Sequence, residues 1–410
     1  MRQVIIVGAG FGGLEVAKGL AGLPVEVTLI DRQNHHLFQP LLYQVATAGL
    51  SPADIAWPIR HLVRRQRNTR VLMGEVTGID PARKIVMLEG GPIAYDWLVI
   101  ATGATHGYFG HDEWAPHAPG LKDLDDATEI RRRLLLAFER AEMATSPDVC
   151  ARLLTIAIIG GGPTGVEMAG AVAELARKAL ATDFRVIDPK QTRVLLLEAG
   201  PRLLPNFPQE LSHYTEAALR RLGVEVRLGK AVTRCGAEGV SLGEERIEAG
   251  TIIWAAGVTA SPAARWLGMI SDRAGRVPVG PDLRPSGFDD VYVIGDTAIV
   301  RAAPLPGIAP VAKQQGAYVA RAIRAKLSGG NDLSPFVYRD RGLLATIGRK
   351  AAVIAYDRIR LKGRLAWWLW GAAHIYFLVS LRNRVIVVTQ WLWLYLVFER
   401  GARLITGLKR

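Results

Sequence analysis

The chain has 410 residues, half of them hydrophobic, and 43 glycines; this suits two or three packed domains and excludes a disordered polymer. Two cysteines, Cys150 and Cys235, exclude a disulfide scaffold, a Cys-ligated iron–sulfur cluster, a multi-Cys zinc site and a C-x-x-C dithiol. They suit a reducing compartment, and no metal site is expected. The formal charge of +13 admits a nucleic acid, an anionic membrane or an anionic cofactor as partner.

Met1-Arg2-Gln3 runs directly into Val4–Val7, which reads as a first strand rather than a secretory leader. Gly8-Ala9-Gly10-Phe11-Gly12-Gly13 follows, then a helix period carried by Leu14, Ala17 and Leu20. A second strand ends at Asp31, 23 residues after Gly8, the spacing of a dinucleotide-binding β-α-β unit. Gly8 permits the sharp turn, Gly10 the approach of a pyrophosphate, and Gly13 the packing of helix on sheet, while Asp31 accepts from a ribose diol. The strand Tyr95–Ile100 leads into Ala101-Thr102-Gly103, and the charged, helix-periodic stretch Leu121–Ala144 crosses to a second domain.

There the pattern returns as Gly160, Gly162 and Gly165, with Glu198 as the ribose acid 38 residues after Gly160. The added length is assigned to a longer helix and the polar stretch Thr182–Thr192. A carboxylate at this place repels a 2′-phosphate, so NADH is preferred over NADPH. Glu167, read as lying in the first turn of the helix, either complements its dipole or stands beside nicotinamide and flavin. Thr251–Trp254 leads into Ala255-Ala256-Gly257, ending this repeat as Ala101-Thr102-Gly103 ends the first, and the result is a duplication at domain scale. Val291–Ile294 then leads into Gly295-Asp296, ahead of a helix-like stretch that Asp296 caps unless it holds a ribityl chain or a phosphate-bound water. Gly329-Gly330-Asn331-Asp332 reads as a linker. Two glycine loops and a late strand-Gly-Asp imply two dinucleotides. The economical pair is one flavin and one nicotinamide, with hydride passing at the domain interface.

The last fifty residues differ in kind. They hold eight basic residues (Lys362, Arg364, Arg382, Arg384, Arg400, Arg403, Lys409 and Arg410), one acid, Glu399, and five of the ten tryptophans. Leu365–Leu381 offers 17 uncharged residues, Arg382-Asn383-Arg384 interrupts, and Val385–Phe398 offers 14 more. A spanning helix needs about 20. The expectation is therefore a basic-flanked, aromatic-rich helical pair lying in the membrane interface. A buried hairpin, a dimer face and a two-pass hairpin are the other readings. Cutting the chain after about Arg360 is expected to free it from the membrane and spare flavin binding. Basic residues interleave with apolar runs instead of forming a solvated patch, so nucleic acid is not expected.

Over its whole length the chain resembles the type II NADH:quinone oxidoreductases, the alternative, non-electrogenic NADH dehydrogenases. The resemblance rests on Val4–Leu20, His35–Arg60, Leu98–Ala104, Ile159–Leu175, Val291–Ala298, Ile308–Gly316 and the aromatic-basic tail. The segment His35–Arg60 is the most specific, because general flavin disulfide reductases lack it. The resemblance implies an α/β fold of two Rossmann-like domains plus C-terminal amphipathic anchoring helices. The FAD domain is expected over 1–120 and 275–330, the inserted NADH domain over 121–274, and the C-terminal region over 331–410 with anchoring helices in 361–410. It implies non-covalent FAD on Gly8, Gly10, Phe11, Gly12, Gly13, Asp31, Arg32, Thr47, Ala101, Thr102, Gly103, Gly295, Asp296 and Ala312. NADH is assigned to Gly160, Gly162, Pro163, Thr164, Gly165, Glu167, Glu198, Ala256 and Gly257.

Glu167 then stands at the nicotinamide–flavin junction and Thr47 near the flavin. Gln314, with Lys313 as a cationic helper, faces the quinone. One departure concerns Pro310, which stands where the family often has a glutamine near the quinone, so contact through that position is not expected. Electrons are expected to pass from NADH through FAD to a membrane quinone such as ubiquinone in a respiratory chain, without proton pumping. The expected location is the cytoplasmic face of the inner membrane, peripheral, on an anionic surface, with a homodimer compatible. Two alternatives are a sulfide:quinone oxidoreductase, for which Cys150 and Cys235 are poorly placed, and a non-catalytic flavin-binding redox sensor.

Overall fold

The computed structural model describes residues 1–301, 304–330, 333–378, 380–397 and 400–407. They form two compact units: Met1–Leu37, Ala56–Thr105 and Val258–Asp340 in the first, and Phe38–Ile55, His106–Gly257 and Arg341–Arg410 in the second. Asn331 and Asp332 of the expected linker, together with Phe398, Glu399, Lys409 and Arg410 of the tail, lie outside the described residues.

In the first unit five strands pair in parallel, in the order Val291–Val293, Trp97–Ile100, Arg2–Val7, Val25–Asp31, Thr69–Met73. Parallel strands covered on both faces need unbroken apolar runs. Val4, Ile5, Ile6, Leu29 and Ile30 accordingly have no exposed surface. The helices Phe11–Gly19 and Ala309–Leu327 pack closely on one another, Gly316 against Gly12 and Ala320 against Gly19. The stretch after Asp296 departs from the sequence reading. Gly295–Thr297 is a single 3₁₀ turn, and Ala298–Val300 is a strand paired with Val277–Val279, not a helix. Its β-branched Ile299 and Val300 favour the pleated partner that Val277–Val279 provides.

The second unit repeats the plan with four parallel strands in the order Val224–Leu228, Arg193–Glu198, Thr155–Ile159, Thr251–Trp254. The helix Leu124–Glu142 opens on a capping box: the Asp126 N–H donates to Asp123 at 2.9 Å and the Asp123 N–H to Asp126 at 3.1 Å. The helix Pro163–Glu174 runs on into a π turn, Leu175–Ala179, followed by an irregular polar stretch to Pro189–Gln191. These account for the long Gly160–Glu198 interval.

A meander, Leu343–Thr346, Ala352–Tyr356 and Ile359–Gly363, feeds the helices Arg364–Phe377 and Leu381–Val397. The interruption expected at Arg382–Arg384 lies inside the second of these helices. The first helix instead ends at Leu378, and Arg384 folds back on it, donating to the carbonyls of Leu378 at 3.0 Å and Tyr376 at 2.8 Å. A cation there offsets the negative helix end and fills acceptors that the helix leaves open. The pair is two-faced. Trp370 and Val387 are 1 % and 0 % exposed, whereas Trp368 and Leu396 are 53 % and 75 % exposed. Each large side chain so buried contributes roughly 1.5–3 kcal/mol, so the tail is part of the unit's core and not the detachable appendage expected from sequence. Among the described residues no helix is long and apolar enough to cross a membrane.

Candidate functional site

Each unit carries a glycine loop between its first strand and first helix, and the two loops are built alike. A Cβ on Gly13 would lie 1.8 Å from the Gly8 carbonyl oxygen, and one on Gly165 equally 1.8 Å from that of Gly160. Both positions therefore require glycine for the helix to approach its strand. A Cβ on Gly10 or Gly162, the residues capping the two helices, would meet nothing within 4 Å. That leaves space at two helix N-termini, neither with an acid in its first turn, where a pyrophosphate is favoured by the dipole.

The acids match as well. Asp31 accepts from the Ala9 N–H at 2.6 Å and the Gln33 N–H at 2.8 Å. Glu198 accepts from the Gly161 N–H at 2.5 Å and the Gly200 N–H at 2.6 Å. Burial raises the Asp31 carboxyl, while the two N–H groups and Arg32, exposed beside it, act the other way.

In the first unit the strand ends converge on this loop. Thr102 Oγ1 lies 2.5 Å from Ser261 Oγ, and Thr297 Oγ1 donates to Gly103 O at 3.1 Å. Gln315 Oε1 accepts from the Gly295 N–H at 2.7 Å, fixing the turn that carries Asp296. Ala312 faces Gly12, its carbonyl oxygen 3.3 Å from where a Gly12 Cβ would stand. His36, unremarked in the sequence, is buried with Nδ1 2.8 Å from Ala9 O and its ring edge-on to Phe11. Burial lowers its pKa to about 4, so it is neutral and structural. Gln314 is engaged on both sides: its Nε2 donates to Arg339 O at 2.9 Å and its Oε1 accepts from the Arg339 N–H at 3.0 Å. These residues fit a dinucleotide seated at Gly10.

In the second unit Ala256 and Gly257 follow the strand Thr251–Trp254 beside the Gly160 loop. Glu167 lies one residue beyond the first helical turn, so the dipole reading loses its basis. It accepts from the Thr346 N–H at 3.3 Å. Burial of its carboxyl pushes the pKa to about 8, against that single hydrogen bond, so it is largely protonated at neutral pH. The buried Tyr43 phenol is raised well above its usual range by burial and by the Glu167 charge.

Thr47, 1 % exposed, spends its hydroxyl on Tyr43 O at 2.9 Å and gives its own carbonyl to Arg400 Nη1 at 2.6 Å. Gln44 donates to Tyr43 Oη and accepts from Trp391 Nε1, both at 2.8 Å. A cavity of this unit is lined by Tyr43, Gln44, Thr47, Trp370, Trp391 and Arg400. Tyr43, Gln44, Trp391 and Arg400 were missed from sequence. The signals were the specific run His35–Arg60, from which only Thr47 was taken, and a basic tail assumed to face lipid. Cys235 is buried and burial pushes its thiol up to about 12, the opposite of a redox cysteine.

Residues 2–316 match the pyridine nucleotide-disulphide oxidoreductase family, and residues 341–400 match the NDH2 C-terminal domain. The type II NADH:quinone oxidoreductase Ndh of Mycobacterium tuberculosis (strain ATCC 25618 / H37Rv) is 43 % identical, covering 99 % of this chain and 90 % of that protein. The NDH2 of Plasmodium falciparum, solved in complex with NADH, superposes with a TM-score of 0.90 at 21 % identity, covering 99 % of this chain and 100 % of that one. The sulfide:quinone oxidoreductase of Aquifex aeolicus shares the fold less closely, with a TM-score of 0.73 at 19 % identity over 94 % of this chain and 92 % of that one. Twin glycine loops, a matched C-terminal region and this level of identity place the chain in the type II NADH:quinone oxidoreductase family.

Proposed function

We propose that this enzyme oxidises NADH held on Gly160, Gly162, Gly165 and Glu198, and reduces a membrane quinone by way of FAD held on Gly8, Gly10, Gly13 and Asp31: NADH + H⁺ + quinone → NAD⁺ + quinol. The single observation that carries the reading is the repetition of one acid-to-loop clamp, Ala9–Asp31 and Gly161–Glu198, in two units. FAD, when bound, supplies a hydride acceptor that can release its electrons to a quinone. The chain itself binds and orients. Asp31 and Glu198 hold the ribose ends and the two helix N-termini take the pyrophosphates. Glu167, protonated in its enclosed site, offers a neutral hydrogen-bonding carboxyl to the nicotinamide side. Quinone enters the apolar cavity lined by Trp370 and Trp391, with Tyr43 and Gln44 as its polar end, and Gln314 and Lys313 serve the quinone half-reaction. The reaction is not coupled to proton pumping.

The exposed row Leu365, Trp368, Tyr376, Leu381, Trp393 and Leu396 lies in the interface of the membrane at its cytoplasmic face. Exposed Arg364 and Arg382 meet the anionic headgroups. The test is anaerobic: NADH added to purified, FAD-loaded protein bleaches the flavin absorbance, and quinone then restores it. Failure of the first step removes the NADH assignment, and failure of the second removes the quinone.

A further inference from the structure

We propose that Arg400 is a positioning residue for quinone reduction. It fixes the Leu42–Thr47 turn from the far end of the sequence by holding the Thr47 carbonyl. The proposal rests on the reading that quinone occupies the cavity lined by Tyr43, Gln44 and Thr47.

The turn needs such a hold. The helix Leu42–Ala46 is five residues long, too short to be stable by itself. Its end is strained: Ala48 is left-handed, with φ of 58°, a region that disfavours a non-glycine residue. Thr47 already directs its N–H and its hydroxyl at Tyr43 O, at 3.0 Å and 2.9 Å. Its carbonyl is left at the negative end of the helix, where a cation is the favoured partner.

Arg400 fills that place with its guanidinium fork. Nη1 donates to Thr47 O at 2.6 Å, Nη2 donates to Ala171 O at 3.3 Å, and Nη2 lies 3.8 Å from Glu174 Oε2. The Arg400 and Glu174 side chains are 11 % and 10 % exposed. A guanidinium joins the two carbonyls, one on the cavity turn and one on the Pro163–Glu174 helix, in a way that a single ammonium does not. The neighbouring Arg403 has a different task. It donates to Ala179 O at 2.8 Å, pairs with Asp183, and turns its Nε back to Arg400 O at 3.0 Å. Arg403 docks the end of the tail on Ala179 and Asp183, and Arg400 separately holds the turn through Thr47 O. The remainder of the tether is Trp391, whose indole N–H holds Gln44.

The experiment compares Arg400→Ala with Arg403→Ala in the full-length, FAD-loaded enzyme. Stopped-flow absorbance follows flavin reduction by NADH and reoxidation by a short-chain quinone separately. For Arg400→Ala, the quinone KM rises about five-fold or more while flavin reduction stays within about two-fold of wild type. Guanidinium chloride at about 10 mM restores most of the loss, because the vacated space adjoins the cavity, and sodium chloride at the same strength does not. Arg403→Ala lowers thermal stability without changing the quinone KM. An unchanged quinone KM in Arg400→Ala, an equal loss in both half-reactions, or the same KM change in Arg403→Ala overturns the proposal. If Arg400→Ala does not fold, Arg400→Gln is read by the same criteria. A wild-type enzyme that NADH reduces but quinone does not reoxidise refutes the quinone reading itself, which is a different result.

Discussion

The Gly161 N–H meets the Glu198 carboxylate at 2.5 Å, so the acid proposed for the ribose also ties down the loop proposed for the pyrophosphate. Substrate selection and loop geometry therefore share one side chain. Glu198→Gln removes the charge that rejects a 2′-phosphate and puts an amide where the Gly161 and Gly200 N–H groups need acceptors. The ratio of kcat/KM for NADH over NADPH should fall about ten-fold, a change of about 1.4 kcal/mol. An unchanged ratio would leave Glu198 as a loop clamp only.

Glu167 should give the fold a pH dependence of unusual sign. Its folded pKa of about 8 lies above the ordinary value of 4.5, so between these values the folded chain keeps a proton that the unfolded chain has lost. Stability from this group is then lost as pH rises through that window. Glu167→Gln mimics the protonated form and should melt higher than wild type by a margin that widens from pH 5 to pH 8 and is constant above. Each kcal/mol corresponds to about 2–4 °C in a unit of this size. Thermal scans at pH 5, 7 and 9 decide it, and a constant difference would show that the carboxyl is already ionised at pH 5.

The tail should not tolerate removal. A chain ending at Arg360 loses Trp370, Val387 and Arg400 from the second unit and exposes the apolar surface they cover. It should be aggregated or protease-sensitive instead of a soluble NADH oxidase. Replacing Trp368, Trp393 and Leu396 with serine touches only exposed positions, so melting temperature should hold within about 2 °C while the share of enzyme sedimenting with lipid vesicles falls severalfold. Vesicle binding unchanged by the triple substitution would place the anchor elsewhere.

Gln314→Ala removes both hydrogen bonds to the Arg339 backbone. At a partly exposed site this should cost about 1–2 kcal/mol and leave flavin reduction by NADH unaffected. Slower reoxidation by quinone would assign Gln314 to that half-reaction. Reoxidation at the wild-type rate, together with the lower stability, would make it a clamp for Arg339 alone.

Sequence reading succeeded wherever structure is set by near neighbours. Gly8 to Asp31 and Gly160 to Glu198 are local β-α-β units whose spacing alone dictates their geometry, and the shortness of the tail's apolar runs was plain from counting. It failed where a side chain is claimed by something distant. Nothing near Arg400 in sequence discloses that its partner is Thr47, and a run of arginines among tryptophans reads as a membrane signal until the fold shows Arg384, Arg400 and Arg403 turned to carbonyls. Nor does anything near Gln314 in sequence disclose that its amide meets the Arg339 backbone. The strand after Asp296 was missed because the strand it pairs with, Val277–Val279, lies some twenty residues upstream.

The partnership of Thr47 with Arg400 also sets an order of events in biosynthesis. The turn at 42–47 is among the first segments to be made, but the residues that brace it, Trp391 and Arg400, come about 350 positions later. Until they arrive, Gln44 and Thr47 lack their final partners, and the early segment has to wait in a partly open state while the bonds from Gly8 to Ile30 and from Ala9 to Asp31, close in sequence, can already form. Long-range closure of this kind is slow, so a stalled or nicked chain would carry a formed first glycine loop and an unbraced 42–47 turn. Such a chain would leave the turn open to proteases and to aggregation, because the second unit is unfinished until its last residues arrive.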